Sequence, residues 1–227
     1  MTASSMFTSS RTIELPPHAR LQGFTLRYGF VPGMVITYRS VLTVVRKRHD
    51  KASTSQQWAS LLSAKVIGID DSDGGARLVI HNRPLDDETR PTVLYLKVTM
   101  FGEPIESTDP EGGIGLILPR MAIAVGSTWT EREQTTDPLT LAPLELVRRY
   151  RVDAIQRDQV ELRYEADPTS LATEAGVELV RDGEGSFGFD ATYGVLTRLD
   201  MRTRFTARAG EFVGEVEAHH TLVLTDD

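Results

Sequence analysis

The chain has 227 residues, of which 40% are hydrophobic and 25% charged, with a formal net charge of −7 and no cysteine. This composition can bury a core and differs from that of a disordered chain, while the acidic balance argues against a nucleic-acid binder. Without cysteine there is no disulfide, no thiolate nucleophile and no cysteine-held metal, and no segment approaches the roughly eighteen apolar residues of a membrane-spanning helix.

Residues 1–23 read as a flexible arm, Ser/Thr-rich at its start and stiffened by Pro16-Pro17. The arm has neither a basic start nor an apolar stretch, so it is not a secretory signal. The chain is therefore expected to be cytoplasmic if its N-terminus is native, and periplasmic or exported if a leader has been removed. Residues 24–227 are expected to form a single all-β domain. Met34 to Arg46 predicts a strand, with Met34, Ile36, Tyr38, Leu42 and Val44 on one face against Thr37, Arg39 and Thr43. Arg46 to Lys51 is its wet end and loop. Trp58 to Asp70 is the next strand, Asp70 to Gly75 a turn, and Ala76 to His81 the return strand. Asn82 to Arg90 is a loop. Thr92 to Met100 is a strand with apolar residues at both parities, which predicts cover on both faces. Gly102 to Gly115 reads as loop, Ile114 to Pro119 as a short apolar run, and Ser127 to Glu133 as a strand. Glu145 to Ile155 and Gln159 to Tyr164 form a hairpin around Gln156-Arg157-Asp158. Thr169 to Ala175 is compatible with a short helical turn. Val177 to Ala191 leads into the last hairpin.

That hairpin is written most clearly. Val195, Thr197, Leu199, Met201, Thr203, Phe205 and Ala207 alternate with Arg198, Asp200, Arg202, Arg204, Thr206 and Arg208. After a turn at Ala209-Gly210, a second run places Phe212, Gly214, Val216, Ala218, His220, Leu222 and Leu224 on the dry side. The predicted register sets Arg208 opposite Glu211, Arg204 opposite Glu215, Arg202 opposite Glu217 and Asp200 opposite His219. Strands at short, regular spacing, with no long helix and no linker, predict one large curved antiparallel sheet, a half-barrel or open barrel, mostly hairpin-connected.

Three segments carry a resemblance. Tyr28 to Tyr38 holds Pro32-Gly33 before an alternating strand. Leu118-Pro119 is followed by Val125-Gly126-Ser127-Thr128-Trp129. Gly183 to Asp190 leads through Tyr193-Gly194-Val195-Leu196 into the final hairpin. In that order they resemble an uncharacterised group of bacterial β-rich proteins, often exported lipoproteins, with an architecture similar to the half-barrel of periplasmic lipoprotein carriers. The resemblance spans residues 24–225 and implies a fold, not a catalytic motif. The chain departs from the group in having no lipobox cysteine.

Motifs with chemical promise have plainer explanations. Gly183-Glu184-Gly185-Ser186-Phe187-Gly188 satisfies a GxGxxG pattern, yet no helix follows to receive a phosphate and no kinase lysine or catalytic loop accompanies it. A glycine-relieved bend or bulge in a strand accounts for it. His219 and His220 are neighbours in a strand, so they point to opposite faces and do not share a metal ion. Asp70 to Gly75 lacks the spacing of a calcium loop, and Asp86-Asp87-Glu88 reads as solvated loop. The clusters Arg148-Arg149-Arg151 and Arg46-Lys47-Arg48 suit an acidic partner or, more simply, an exposed sheet face. No catalytic residue, metal or cofactor is nominated.

Six large side chains are the candidate ligand-binding residues on the concave face: Trp58, Tyr95, Phe101, Trp129, Met201 and Phe205. The expected function is non-catalytic binding of an apolar or amphipathic ligand, or of a partner chain. The alternative is a structural or assembly subunit, a homo-oligomer or part of a larger complex, using the N-terminal arm and a sheet edge.

Overall fold

The computed structural model describes residues 10–14, 25–48, 51–70, 74–86, 89–108, 116–136, 143–172, 178–209 and 212–225. Among these residues there is no helix, and the strands are β1 (Ser10–Glu14), β2 (Val35–Arg48), β3 (Lys51–Ile69), β4 (Ala76–Pro84), β5 (Thr92–Val98), β6 (Pro104–Ser107), β7 (Thr128–Thr136), β8 (Pro143–Gln156), β9 (Gln159–Ala172), β10 (Glu178–Asp190), β11 (Val195–Ala209) and β12 (Phe212–Leu224). They form one antiparallel sheet in the order β1-β7-β8-β9-β10-β11-β12-β2-β3-β4-β5-β6. The sheet is curved and does not close; β1 and β6 are its two ends.

The alternation read from the sequence decides which side chains are dry. Trp129, Tyr150, Tyr164, Gly185, Met201, His220, Leu42 and Trp58 lie opposite one another, strand by strand, in a single row across β7 to β3. The neighbouring row, Val152, Leu162, Phe187, Leu199, Leu222 and Ser40, is buried throughout. We call this the inner face. Two irregular segments lie over one end of it. Leu26 and Tyr28 from one, and Leu116, Leu118 and Ile123 from the other, belong to the same buried cluster, and the Tyr28 hydroxyl donates to the Leu116 carbonyl at 2.8 Å. Phe30 joins this cluster to a second one made of Val66, Ala76, Leu78, Leu96 and Val98.

The final hairpin pairs differently from the expectation. Ala209 faces Phe212, so Arg204 faces Glu217, Arg202 faces His219 and Asp200 faces Thr221. Positions 210 and 211 between the strands lie outside the described residues. The change moves every partner by two residues, which preserves parity, so no side chain from Arg198 onward changes face; before it, the shift opposite Gly188 and Phe189 turns Leu196 inward in place of Val195, against the expected alternation. Two of the expected contacts persist as diagonals: His219 Nε2 is 2.9 Å from Asp200 Oδ1, and Arg204 Nε is 3.8 Å from Glu215 Oε1.

Other boundaries also shift. β3 begins at Lys51 rather than Trp58, and β2 runs to Arg48, so Arg48 and Lys51 of the expected loop are paired in the ladder, while 49 and 50 lie outside the described residues. Lys51 to Gln57 is polar at both parities, so the pairing comes from β2 rather than from its own pattern. β4 extends to Pro84, and a short strand, β6, sits inside the expected loop 102–115. Thr169 to Ala172 is strand, not helical turn, and 173–177 lie outside the described residues. β5 is covered on one face only: Val93 and Tyr95 are 49% and 55% exposed, while Leu96 and Val98 are buried. Within the segment read as an arm, Ser10–Glu14 pairs with β7 as β1.

The glycine-rich run is part of a strand, β10, and the extra residues of the bulges beside it lie in its neighbours β9 and β11. Its register shifts between Arg181 and Gly183 on one side and between Gly188 and Phe189 on the other. A Cβ on Gly183 would stand 2.5 Å from the Tyr164 hydroxyl oxygen, and one on Gly185 would stand 3.0 Å from Tyr164 Cδ1. These glycines provide the seat for a tyrosine of the neighbouring strand.

Candidate ligand-binding surface

The inner face has two halves. On β7 to β10 it is closed by an aromatic ladder: Trp129 stacks on Tyr150 at 5.1 Å between ring centroids, and Tyr150 and Tyr164 both contact Phe187. Toward β3 the same row opens. Trp129 is 2% exposed at one end of it and Trp58 is 39% exposed at the other. Between them Met201 and Leu42 are half-buried, as are Val44, Val216 and Phe205 in the next two rows. Half-buried apolar side chains grouped on one face of a sheet form the kind of surface that binds an apolar body.

Polar groups rim this surface on the side away from the packed core. Arg181, Phe205, Val216 and Arg46 form one row across β10, β11, β12 and β2. The Arg181 guanidinium lies 5.0 Å from the centre of the Phe205 ring, a cation–π arrangement. Arg46 donates to Gln56 Oε1 at 2.6 Å. One row nearer the core, Glu131 and Arg148 are direct cross-strand partners. Glu131 is 2% exposed, and its carboxylate accepts a hydrogen bond from the Tyr150 hydroxyl at 3.2 Å. Burial, reinforced by the Glu131 charge, pushes the Tyr150 phenol well above its usual range, so it stays a donor. Tyr164 is likewise pushed up by burial, against the opposing pull of Arg148 and Arg181; its hydroxyl bonds to Thr203.

At the boundary of the two halves, Ser40 Oγ is 2.9 Å from His220 Nε2. Burial holds the His220 pKa below its ordinary value, with the neighbouring His219 adding to the effect. The neutral ring and the serine hydroxyl share one hydrogen bond, whose donor is set by the tautomer of the ring. As expected for adjacent strand residues, His219 turns the other way, to Asp200.

The six residues read from the sequence separate into three groups. Trp58 and Phe205 lie on the open half of the inner face, and Met201, in the row of Trp58, packs against the core cluster at the boundary of the two halves. Trp129 belongs to the packed core, and Phe101 packs against that core beneath the Arg120 guanidinium, 5.7 Å from its ring centre. Tyr95 stands on the other face, opposite Val79. Sequence reasoning missed Glu131, Tyr164 and Arg181. Glu131 had a signal, since it shares the parity of Trp129 and is a carboxylate in a dry column. Arg181 had one too, since it shares the parity of Gly183, Gly185 and Phe187, and the extra residue at the shift beside Gly183 lies in β9. No protein-family model matches the chain, and neither does any curated protein.

Proposed function

We propose that the chain is a non-catalytic binding protein that holds an amphipathic ligand on the open half of its inner face. The observation that supports this most directly is the row running from Met201 through His220 and Leu42 to Trp58, apolar for the most part and half-buried or exposed, beside a core that is otherwise filled. The apolar body of the ligand lies over Trp58, Leu42, Met201 and Phe205, and its polar end meets the Arg46 and Arg181 row. The reading accords with the resemblance to half-barrel carriers. Ser40 and His220 do not argue for catalysis: Ser40 sits mid-ladder between β3 and β12, where the surrounding N–H groups bond to neighbouring strands and offer no oxyanion site.

Titration with dodecanoate tests the proposal. Trp58 fluorescence should shift to the blue on binding, the shift should vanish in Trp58→Phe, and native mass spectrometry should show the added ligand. An unchanged spectrum with no added mass would remove the reading.

A second reading, an assembly subunit joined through a sheet edge, is favoured by one observation. Ile105, on the terminal strand β6, is 46% exposed, and Val93 and Tyr95 on the adjoining β5 are 49% and 55% exposed. Exposed apolar edge strands accept further strands. Light scattering should then report an oligomer that Tyr95→Lys dissociates; a monomer would exclude it.

A further inference from the structure

The outer face carries a cavity of about 400 Å³ over β7, β8 and β9, lined by Thr128, Thr130, Arg149, Arg151, Arg163 and Glu165. Trp129 and Tyr150 also border it, but they alternate along β7 and β8 with these residues and belong to the inner-face cluster. Its arginines are held in place by carboxylates that do not line the cavity. Asp153 Oδ1 accepts from Arg151 Nε at 2.7 Å, and Asp153 Oδ2 accepts from Arg163 Nε at 3.0 Å. One carboxylate thus fixes two guanidinium groups, each through its inner nitrogen, which leaves the terminal N–H forks of both available to a ligand. Arg149 Nη2 donates to Asp167 Oδ2 at 2.7 Å. Although its desolvation works the other way, the Arg151 and Arg163 contacts keep Asp153 below the usual carboxylate range, so the brace stays charged.

A second hollow of about 220 Å³ shares Arg163 and Glu165 and continues along Glu184, Ser186, Asp200 and Arg202. The groove is therefore basic and hydroxylated at its β7–β9 end and rich in carboxylates beyond. Paired guanidinium forks match the geometry of a phosphate or sulfate group. Carboxylates and a serine hydroxyl beyond them match the hydroxyl groups of a polyol and repel a second anionic charge.

We propose that this groove is a binding site for a sugar-like molecule carrying a single phosphate or sulfate ester, with the oxyanion seated between Arg151 and Arg163. Polyanions such as nucleic acid are excluded by Glu165, Glu184 and Asp200. Calorimetric titration of the full chain with glucose phosphate monoester, glucose sulfate monoester, glucose and inorganic phosphate tests the site. At least one ester should bind, and more tightly than glucose or inorganic phosphate; the tighter ester identifies the anion. Arg151→Gln and Arg163→Gln should each weaken binding about tenfold or more, and Asp153→Asn should weaken it by releasing both forks. Thermal melts of these exposed-site variants should match the parent, and dodecanoate binding should be unchanged. Failure of both esters to bind, or equal binding by the double Arg151→Gln, Arg163→Gln variant, would overturn the proposal.

Discussion

Two inner-face residues show how single side chains fix this surface. Tyr164 lies over Gly183 and Gly185, and the Arg202 carbonyl is 3.0 Å from where a Gly183 Cβ would stand. Gly183→Ala should therefore destabilise the fold by roughly 1–3 kcal/mol through overpacking. Tyr164→Phe removes the hydroxyl oxygen that the new methyl meets, so part of that cost should disappear in the double variant. A urea-denaturation cycle reads the coupling, and strict additivity would mean that the glycine is not the seat of the tyrosine. His220 gives a pH dependence. Its folded pKa lies below the unfolded value, so between the two the unfolded chain binds more protons and stability rises with pH. The His220 contribution is thus fully present above about pH 6.5 and is lost as pH falls toward the folded pKa. Denaturation midpoints at about pH 7 and pH 5 should differ less in His220→Asn than in the parent. The dry-side position of His220, and so its burial, was legible in the sequence; the tyrosine seat and the serine contact were not. The seat needs the β9–β10 register, and the serine partner of His220 is far away in the chain.

At the scale of the element, the final hairpin shows what a period of two does and does not determine. Parity was legible: Leu199 and Leu222 are buried, and the arginines and glutamates face out. The partners were not, because moving the turn by one residue changes them by two and leaves every face as it was. Charge pairing could not decide between the two registers, since Arg204 faces Glu217 and still lies 3.8 Å from Glu215 Oε1. A glutamate repeat at this spacing serves either alignment. The energetic consequence is a sharp contrast between faces. Arg204→Gln should change stability by no more than about 1 kcal/mol, as for exposed ion pairs in general. Leu199→Asp, at 3% exposure, should cost at least about 3 kcal/mol by placing an unpaired carboxylate among apolar neighbours. Equal effects in denaturant titrations would mean that the faces are misassigned. β3 shows the opposite limit: its first residues have no pattern of their own, so their strand was invisible until β2 was placed beside them.

For the whole molecule, the decisive feature is a sheet larger than the core that fills it. β3 alone has 19 residues, roughly 60 Å of extended chain, whereas the buried cluster and its two covering segments occupy one end of the inner face. The same alternation writes both halves, which is why all-β architecture was legible and the division between packed core and open surface was not. Covering depends on where Leu26 to Phe30 and Leu116 to Ile123 come to rest, and no local pattern records that. This division predicts a gradient in hydrogen exchange. Amides of β8 to β10 around Val152, Leu162 and Phe187, with buried side chains on both neighbours, should exchange only through global unfolding. Thr54 to Gln57 of β3, with exposed side chains, should exchange through local opening and much faster. Dodecanoate bound as proposed adds contacts to Leu42, Trp58, Met201 and Phe205, and so should slow exchange in the middle of β2, β3, β11 and β12 while leaving β8 and β9 unchanged. Protection spread evenly over the sheet would indicate general stabilisation instead of a ligand on the open half. Protection confined to β8 and β9 would place the ligand in the outer groove.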